Sequence, residues 1–181
     1  MKEAAFADAY TAHFRQVRGL CRQLLGSTDR GEDAAQEAFI RAYRALASYD
    51  PAQPFGAWIM RIARNHCLDL LRRRSTEKAL FGSEADEAAL AEAPDLGGLA
   101  TVLSVERASA VNAAVAKLPE RYRVPLALAY YADADYNEIA SQLGLTRTHV
   151  GVLLCRAKHL LRESLAEAGM TTHGAVAEVS Q

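Results

Sequence analysis

The apolar residues of this chain recur every three to four positions, and nowhere do they alternate with the period of two that a half-buried strand requires. Phe6, Tyr10, Phe14, Val17 and Cys21 form one helical series, and Phe39, Ile40, Tyr43 and Leu46 form a second beyond the turn GSTDRGED. A third helix is predicted for FGAWIMRIARNHCLDLLRRR, with Phe55, Ile59, Ile62, Ala63, His66 and Leu70 on a buried arc. Trp58, Arg61, Arg64, Asn65, Leu68 and Arg72 share its other arc. A helix resumes from Val105 toward Lys117, and Leu118-Pro119-Glu120 begins another, with Pro119 tolerated in a first turn because the N–H it lacks has no helical partner there. The pattern predicts an all-α fold.

The segment DYNEIASQLGLTRTHVGVLLCRAKHLLRESL reads as two helices joined by a glycine turn. Asp135 is an N-cap carboxylate and Glu138, three residues on, can reach back to it, the reciprocal bonds of a capping box. Gly144 supplies a left-handed turn, Leu145 points into the angle between the helices, and Thr146 caps the second. This is a helix-turn-helix, for which DNA binding is the default use and packing or protein contact the alternative. At 100° per residue, Val150, Leu153, Leu154, Ala157, Leu160 and Leu161 fall on one arc of the second helix. Thr148, His149, Val152, Cys155, Arg156, His159 and Arg162 fall on the opposite one, with Gly151 and Lys158 at its margin. A major-groove reader favours Arg, Lys, Asn or Gln near the start of this helix, since such side chains pair bidentately with base edges. Gly151 and Val152 occupy that zone instead.

Composition divides the chain. A net charge of −1 conceals +4 over residues 1–76, −5 over 77–116 and 0 over 117–181. The acidic stretch is rich in Ala, Glu, Gly and Asp and poor in large apolar residues, so it reads as a flexible linker that leaves the two flanking helical blocks free to move independently. The tail from Gly169 lacks periodicity and is expected to fray. With 50% hydrophobic and 24% charged residues among 181, the chain can bury real cores as an ordinary globular protein. No apolar run reaches membrane-spanning length, and MKEAAFADAYTAHFRQ carries acids rather than the apolar core of a secretion signal. A cytoplasmic protein without membrane insertion is expected. Cys21, Cys67 and Cys155 have no CxxC spacing and read as reduced, mostly buried thiols; Cys155 and His159 lie one turn apart, but two ligands make no metal site.

The outer arc of the third helix mixes an aromatic, an amide and guanidinium groups. Single-stranded nucleic acid is held by that combination, with phosphates neutralised by Arg and unstacked bases offered a flat surface or an amide. A solvated basic face with Trp58 half buried fits the same residues. His66, on the buried arc, reads as a packed core residue.

Taken in order, these segments resemble the extracytoplasmic-function group of bacterial sigma factors. The resemblance rests on Gly31-Glu32-Asp33-Ala34-Ala35-Gln36-Glu37-Ala38-Phe39-Ile40-Arg41-Ala42-Tyr43-Arg44-Ala45-Leu46, then Trp58-Ile59-Met60-Arg61-Ile62-Ala63-Arg64-Asn65 with Asp69, Leu70, Leu71, Arg72 and Arg73. It continues with Leu118-Pro119-Glu120-Arg121-Tyr122-Arg123 and Tyr136-Asn137-Glu138-Ile139-Ala140, covering roughly residues 6–76 and 105–166. The implied organisation is a region 2-like domain (1–76), an acidic linker (77–104), a region 4-like helix-turn-helix domain (105–168) and a disordered tail (169–181). The implied activity is to bind core RNA polymerase, direct it to promoters and assist strand opening, with promoter DNA and an anti-sigma factor as further partners and no cofactor.

Residue by residue, the resemblance assigns Asp33, Gln36 and Glu37 to the polymerase surface. The loop Ser48–Pro54 would shape a pocket for a base flipped from the minus-ten element, with Tyr49 as a wall, Asn65 reading the base edge and Trp58 on the same face. Arg61, Arg64, Arg72 and Arg73 would meet the backbone. In the second domain Arg147, Thr148, His149, Arg156 and Lys158 would contact the minus-thirty-five element. Many members carry basic, small polar and basic residues after the valine equivalent to Val150, where this chain has Gly151, Val152 and Leu153. Recognition there either rests on shape and backbone contacts or has given way to a protein contact. Two other functions compete: a helix-turn-helix regulator or sigma-like decoy that binds protein without initiating transcription, and a metal-dependent nuclease using Glu32, Asp33, Glu37 and Asp69. The nuclease is disfavoured because no His–acid spacing supports two metals and the carboxylates are explained as helix-surface residues.

Overall fold

Seven α-helices and one 3-10 turn are seen in the computed structural model, which describes the backbone over residues 3–81 and 102–167 and side chains over 5–76 and 109–167. Most of the expected linker and the tail lie outside these residues. The elements are α1 (Glu3–Leu25), α2 (Thr28–Arg44), the 3-10 turn Leu46–Ser48, α3 (Phe55–Phe81), α4 (Val102–Lys117), α5 (Glu120–Tyr131), α6 (Tyr136–Leu143) and α7 (Arg147–Glu167). No strand occurs among the described residues, as the periodicity predicts. The boundaries shift slightly, since α3 runs five residues past position 76 and α4 begins three before Val105.

In the first block α1, α2 and α3 pack around Val17, Leu20, Cys21, Leu24, Phe39, Ile59 and Cys67. The turn between α1 and α2 is shorter than GSTDRGED suggests. Ser27 has extended backbone and its hydroxyl accepts from the Arg30 amide at 3.4 Å, so it caps a helix that starts at Thr28. Gly31 is therefore inside α2, buried where a Cβ would lie 2.6 Å from the Arg22 Cα. Only glycine lets the two backbones approach this closely. Ala34, Ala35, Ala38 and Ala42 continue that small-residue face. Ile40 and Tyr43, which share the apolar repeat of Phe39, are 45% and 48% exposed, because Phe39 and the alanines already fill the inward side.

In the second block the capping box forms as read: Asp135 Oδ1 accepts from the Asn137 and Glu138 amides at 2.7 and 2.9 Å, and Glu138 accepts from the Asp135 amide at 3.0 Å. Gly144 has φ +65°, a conformation costly for a residue with a Cβ, and turns the chain into α7. The Thr146 hydroxyl accepts from the His149 amide at 3.2 Å. Val150, Leu154, Ala157 and Leu165 are buried, Val150 and Leu154 against the same core as Ile139 and Leu128. Each large side chain in that set contributes about 1.5–3 kcal/mol by leaving water.

The two blocks do not stand apart, contrary to what the linker composition suggests. α1 packs on α5 and α4, and the buried side chains of both blocks form one continuous cluster. Arg123 of α5 is 7% exposed, donating from Nε to the Gln23 carbonyl at 3.0 Å and from Nη1 to the Leu118 carbonyl at 3.1 Å. Burial lowers the pKa of this guanidinium from its usual value, yet the carbonyls it meets include one from the last turn of α1, where the helix presents unpaired acceptors. Gln23 in turn donates to the carbonyl and side-chain oxygens of Asn112 at 3.2 and 3.3 Å, and Tyr131 hydrogen-bonds the same Asn112 oxygen. Burial holds the Tyr131 phenol protonated, pushing its pKa up to about 12.

Candidate nucleic-acid and polymerase interfaces

The phase of α3 decides what it can present. Its most buried residues are Trp58, Ile59, Ala63, His66, Cys67, Leu68 and Leu71, so the inward arc is rotated from the one expected. Trp58, at 7% exposure, is no stacking platform for a base: its ring lies 4.9 Å from that of Tyr49 and 5.5 Å from that of Phe55, inside an aromatic cluster that also takes in Phe6. Burying so large an apolar surface outweighs leaving it for a ligand. The stripe left outside is Arg61, Asn65, Asp69, Arg72 and Arg73, with Arg64 partly buried. His66 is buried as expected, and desolvation, with Arg41 adding to it, lowers its pKa from the usual value.

Tyr49 closes the preceding loop by donating its hydroxyl to the Gln53 carbonyl at 2.6 Å, and Asp50 accepts from the Ala52 amide at 2.9 Å. The loop is thus fixed on the N-terminal end of α3 through Tyr49 against Trp58. Asn65 stands two turns further on, roughly 10 Å along the axis at 1.5 Å per residue.

Arg72 is drawn elsewhere. It pairs with Asp69 at 2.7 Å and donates to the Gln142 carbonyl of α6 at 2.9 Å, joining α3 to the helix-turn-helix. Beside this contact a cavity of about 740 Å³ opens between the blocks, lined by Leu68, Leu71, Pro125, Leu145 and His149 among others. Two residues expected to meet DNA, Arg72 and His149, thus face the groove between domains.

On α2, Asp33 and Gln36 are exposed and Glu37 is partly exposed; Arg41 donates to Glu37 at 2.9 Å and holds that carboxyl below its usual range. The exposed Ile40 follows them one turn on, an apolar neighbour that periodicity alone does not set apart from the buried Phe39. Of the carboxylates weighed for metal chemistry, Glu32 pairs with Arg22, Glu37 with Arg41 and Asp69 with Arg72.

The outer arc of α7 is as the helical wheel predicts. Thr148, His149, Val152, Cys155, Arg156, His159 and Arg162 are exposed. Arg147 and Lys158 border a shallow depression with Tyr136 on one flank, and His149 borders the interdomain groove on the other. No helix among the described residues is long and apolar enough to cross a membrane.

The described residues thus form an all-helical pair of domains, one presenting an arginine and amide stripe and the other a capped helix-turn-helix. Residues 9–77 match the sigma-70 region 2 family and residues 108–161 match the sigma-70 region 4 family. Over 168 residues, 90% of this chain and 90% of the relative, the sequence is 31% identical to the ECF RNA polymerase sigma factor SigW of Bacillus subtilis. It is 30% identical over 161 residues to the ECF RNA polymerase sigma factor SigE of Mycolicibacterium smegmatis, covering 88% of this chain but 61% of that one. The fold is shared with the sigma factor RpoE from Bartonella quintana, solved with the anti-sigma factor NepR, at a TM-score of 0.61 and 20% identity over 90% of this chain and 97% of that chain. The chain belongs to the ECF sigma factors of RNA polymerase. It is a promoter-specific initiation factor.

Proposed function

We propose that this sigma factor opens promoters by trapping a base of the minus-ten element against α3. In this scheme Asn65 reads the base edge, Tyr49 walls the pocket, and Arg61, Arg64, Arg72 and Arg73 neutralise the phosphates of the melted strand. Trp58 acts from behind, holding Tyr49 in place. Strand opening then needs no nucleotide hydrolysis and no catalytic residue, since binding energy is gained only by the melted state. The observation that carries this reading is the exposed stripe of Arg61, Asn65, Arg72 and Arg73 on a helix that turns Trp58 inward.

Asp33, Gln36 and Glu37, extended by Ile40, form the surface for core polymerase. The outer arc of α7, with Arg147, Thr148, His149, Arg156 and Lys158, contacts the minus-thirty-five element. Because Arg72 and His149 border the interdomain groove, the domains must part before both surfaces meet one promoter. An anti-sigma factor is the natural opponent of that step: RpoE and CnrH, which share the fold, were solved with NepR and with the cytosolic domain of CnrY. The protein works in the cytoplasm.

Run-off transcription tests the scheme. Purified core polymerase should yield a discrete product from a selected promoter only when this chain is added. Reversing Asp33 and Glu37 to Lys should remove most of that product and most co-purification with core polymerase while leaving the thermal unfolding curve in place. Co-purification of the double variant at wild-type levels would remove α2 from the interface.

A further inference from the structure

Two residues of α7 make no sense as helix-building choices. Gly151 lies in the interior of a 21-residue helix, where glycine is the poorest helix former after proline. Nothing in the fold requires it there: a Cβ at this position would find only Tyr136 Cε2, at 3.8 Å, an ordinary contact. Val152 follows, a β-branched residue whose side chain is 46% exposed and lies away from the buried arc of Val150, Leu154 and Ala157. Water is a poor neighbour for an isopropyl group, and β-branching lowers helix propensity as well. Both residues sit in the first two turns of the second helix of a helix-turn-helix, the part that enters the major groove. Exposed Thr148, His149, Cys155 and Arg156 surround them at one turn's distance, so the apolar spot is small and framed by groups suited to DNA.

We propose that Val152 is a specificity-determining residue that reads the C5-methyl group of a thymine in the upstream promoter element, and that Gly151 lets the helix backbone seat close to the base edges. The proposal rests on the assignment of α7 as the upstream DNA-reading helix. Of the four bases only thymine carries a methyl group in the major groove, and an aliphatic side chain distinguishes it without any hydrogen bond. A bidentate reader near the start of the helix is then unnecessary. The flat flank left by Gly151 matters because an apolar contact loses about a quarter to a half of its attraction over a gap of about 0.5–1 Å, so the helix must come close for Val152 to touch the methyl.

The test uses holoenzyme, this chain with core polymerase, on a promoter selected from a random-sequence pool. Each thymine of the upstream element is replaced singly by deoxyuridine, which removes only the methyl group. At one thymine the wild-type holoenzyme should lose about four-fold in affinity, the effect of one buried methyl-sized group. Val152→Ala should bind the thymine promoter about as weakly as the wild type binds the deoxyuridine one, and should be indifferent to the replacement. Gly151→Ala and Val152→Ala should both raise the melting temperature, Gly151→Ala by about 2–4 °C, while weakening promoter binding. Equal deoxyuridine effects in wild type and Val152→Ala, or no effect at any thymine, overturn the proposal even where scrambling the upstream element weakens binding. If scrambling that element changes nothing, the assignment of α7 itself fails. Unchanged DNA binding by Val152→Ala with weakened binding of a purified anti-sigma protein overturns the proposal in favour of a protein contact.

Discussion

The two helices proposed to meet DNA place an exposed-arc apolar residue in opposite ways. α3 turns Trp58 inward and leaves an amide and arginines outside, whereas α7 buries its aliphatic residues and still leaves Val152 in water. The first arrangement suits a strand whose bases are unstacked and whose edges are free to be hydrogen-bonded. The second suits intact duplex, where the methyl group of thymine is an apolar feature already on display. The contrast teaches that exposure, rather than residue type, tells which side chains are reserved for a ligand.

Trp58 offers the strongest attack on this contrast. If the ring is core, Trp58→Ala should destabilise the first domain by about 3–5 kcal/mol, through lost burial and the cavity left beside Tyr49. Chemical denaturation of the free protein reads this directly, and a variant with unchanged midpoint would mean that Trp58 belongs to the outer face after all. Val152→Ala in the same experiment should not destabilise the protein.

Interdomain contacts come next. Replacing Arg123 with Met keeps the volume but removes the donors to Gln23 and Leu118, which should cost about 1.5–3 kcal/mol, the range for hydrogen bonds from a charged group. The radius of gyration from small-angle scattering should rise as the blocks separate, freeing Arg72 and His149 from the groove together. A wild type that already scatters as two separate bodies would show that the docked arrangement is not the resting one.

Much of α7 and little of the docking was legible in the sequence, and the reason is range. Capping by Asp135 and Thr146 and the turn at Gly144 depend on residues within four positions, so local rules suffice. Ser27 shows the limit of those rules, since Gly-Ser-Thr-Asp reads equally as a long turn or as a cap followed by a helix. The α3 wheel failed in phase because both of its arcs carry large apolar residues, and only the positions of α1 and the Tyr49 loop decide which is buried. Arg123 and Gln23 are 100 residues apart in the chain, and no local pattern joins them. Ile40 obeys the same limit: its spacing is that of a core residue, but Phe39 and the neighbouring alanines fill the core and leave it outside.

Asn65 offers a test of the α3 half at a similar or smaller energy. Asn65→Ala should lower promoter opening by about 1–3 kcal/mol in apparent free energy and relax preference at one minus-ten position, with core polymerase binding intact. Permanganate footprinting of the melted strand on a set of single-base variants measures both effects. Unchanged opening on every variant would leave the amide without a role.

The smallest effect separates the inner faces of the two helices. α3 buries a titratable group, His66, among its core residues, while the buried positions of α7, Val150, Leu154, Ala157 and Leu165, are all apolar. Desolvation, assisted by Arg41 and Arg73 against the opposing pull of Glu37 and Asp69, lowers the His66 pKa in the folded state. The unfolded chain then binds a proton more readily, near the ordinary value of about 6.5. Stability contributed by neutral His66 is therefore complete above that pH and falls as the pH drops toward the lowered folded pKa, below which the loss levels off. Thermal unfolding followed between pH 7.5 and 5.5 should show a decline that His66→Gln reduces, because glutamine keeps polar contacts without titrating. Val150→Ala, which weakens the inner face of α7, should lower the melting temperature without altering that slope. A wild-type profile no steeper than that of His66→Gln would mean that the imidazole charges freely in the folded state, and the inner face of α3 would be as wet as its outer one.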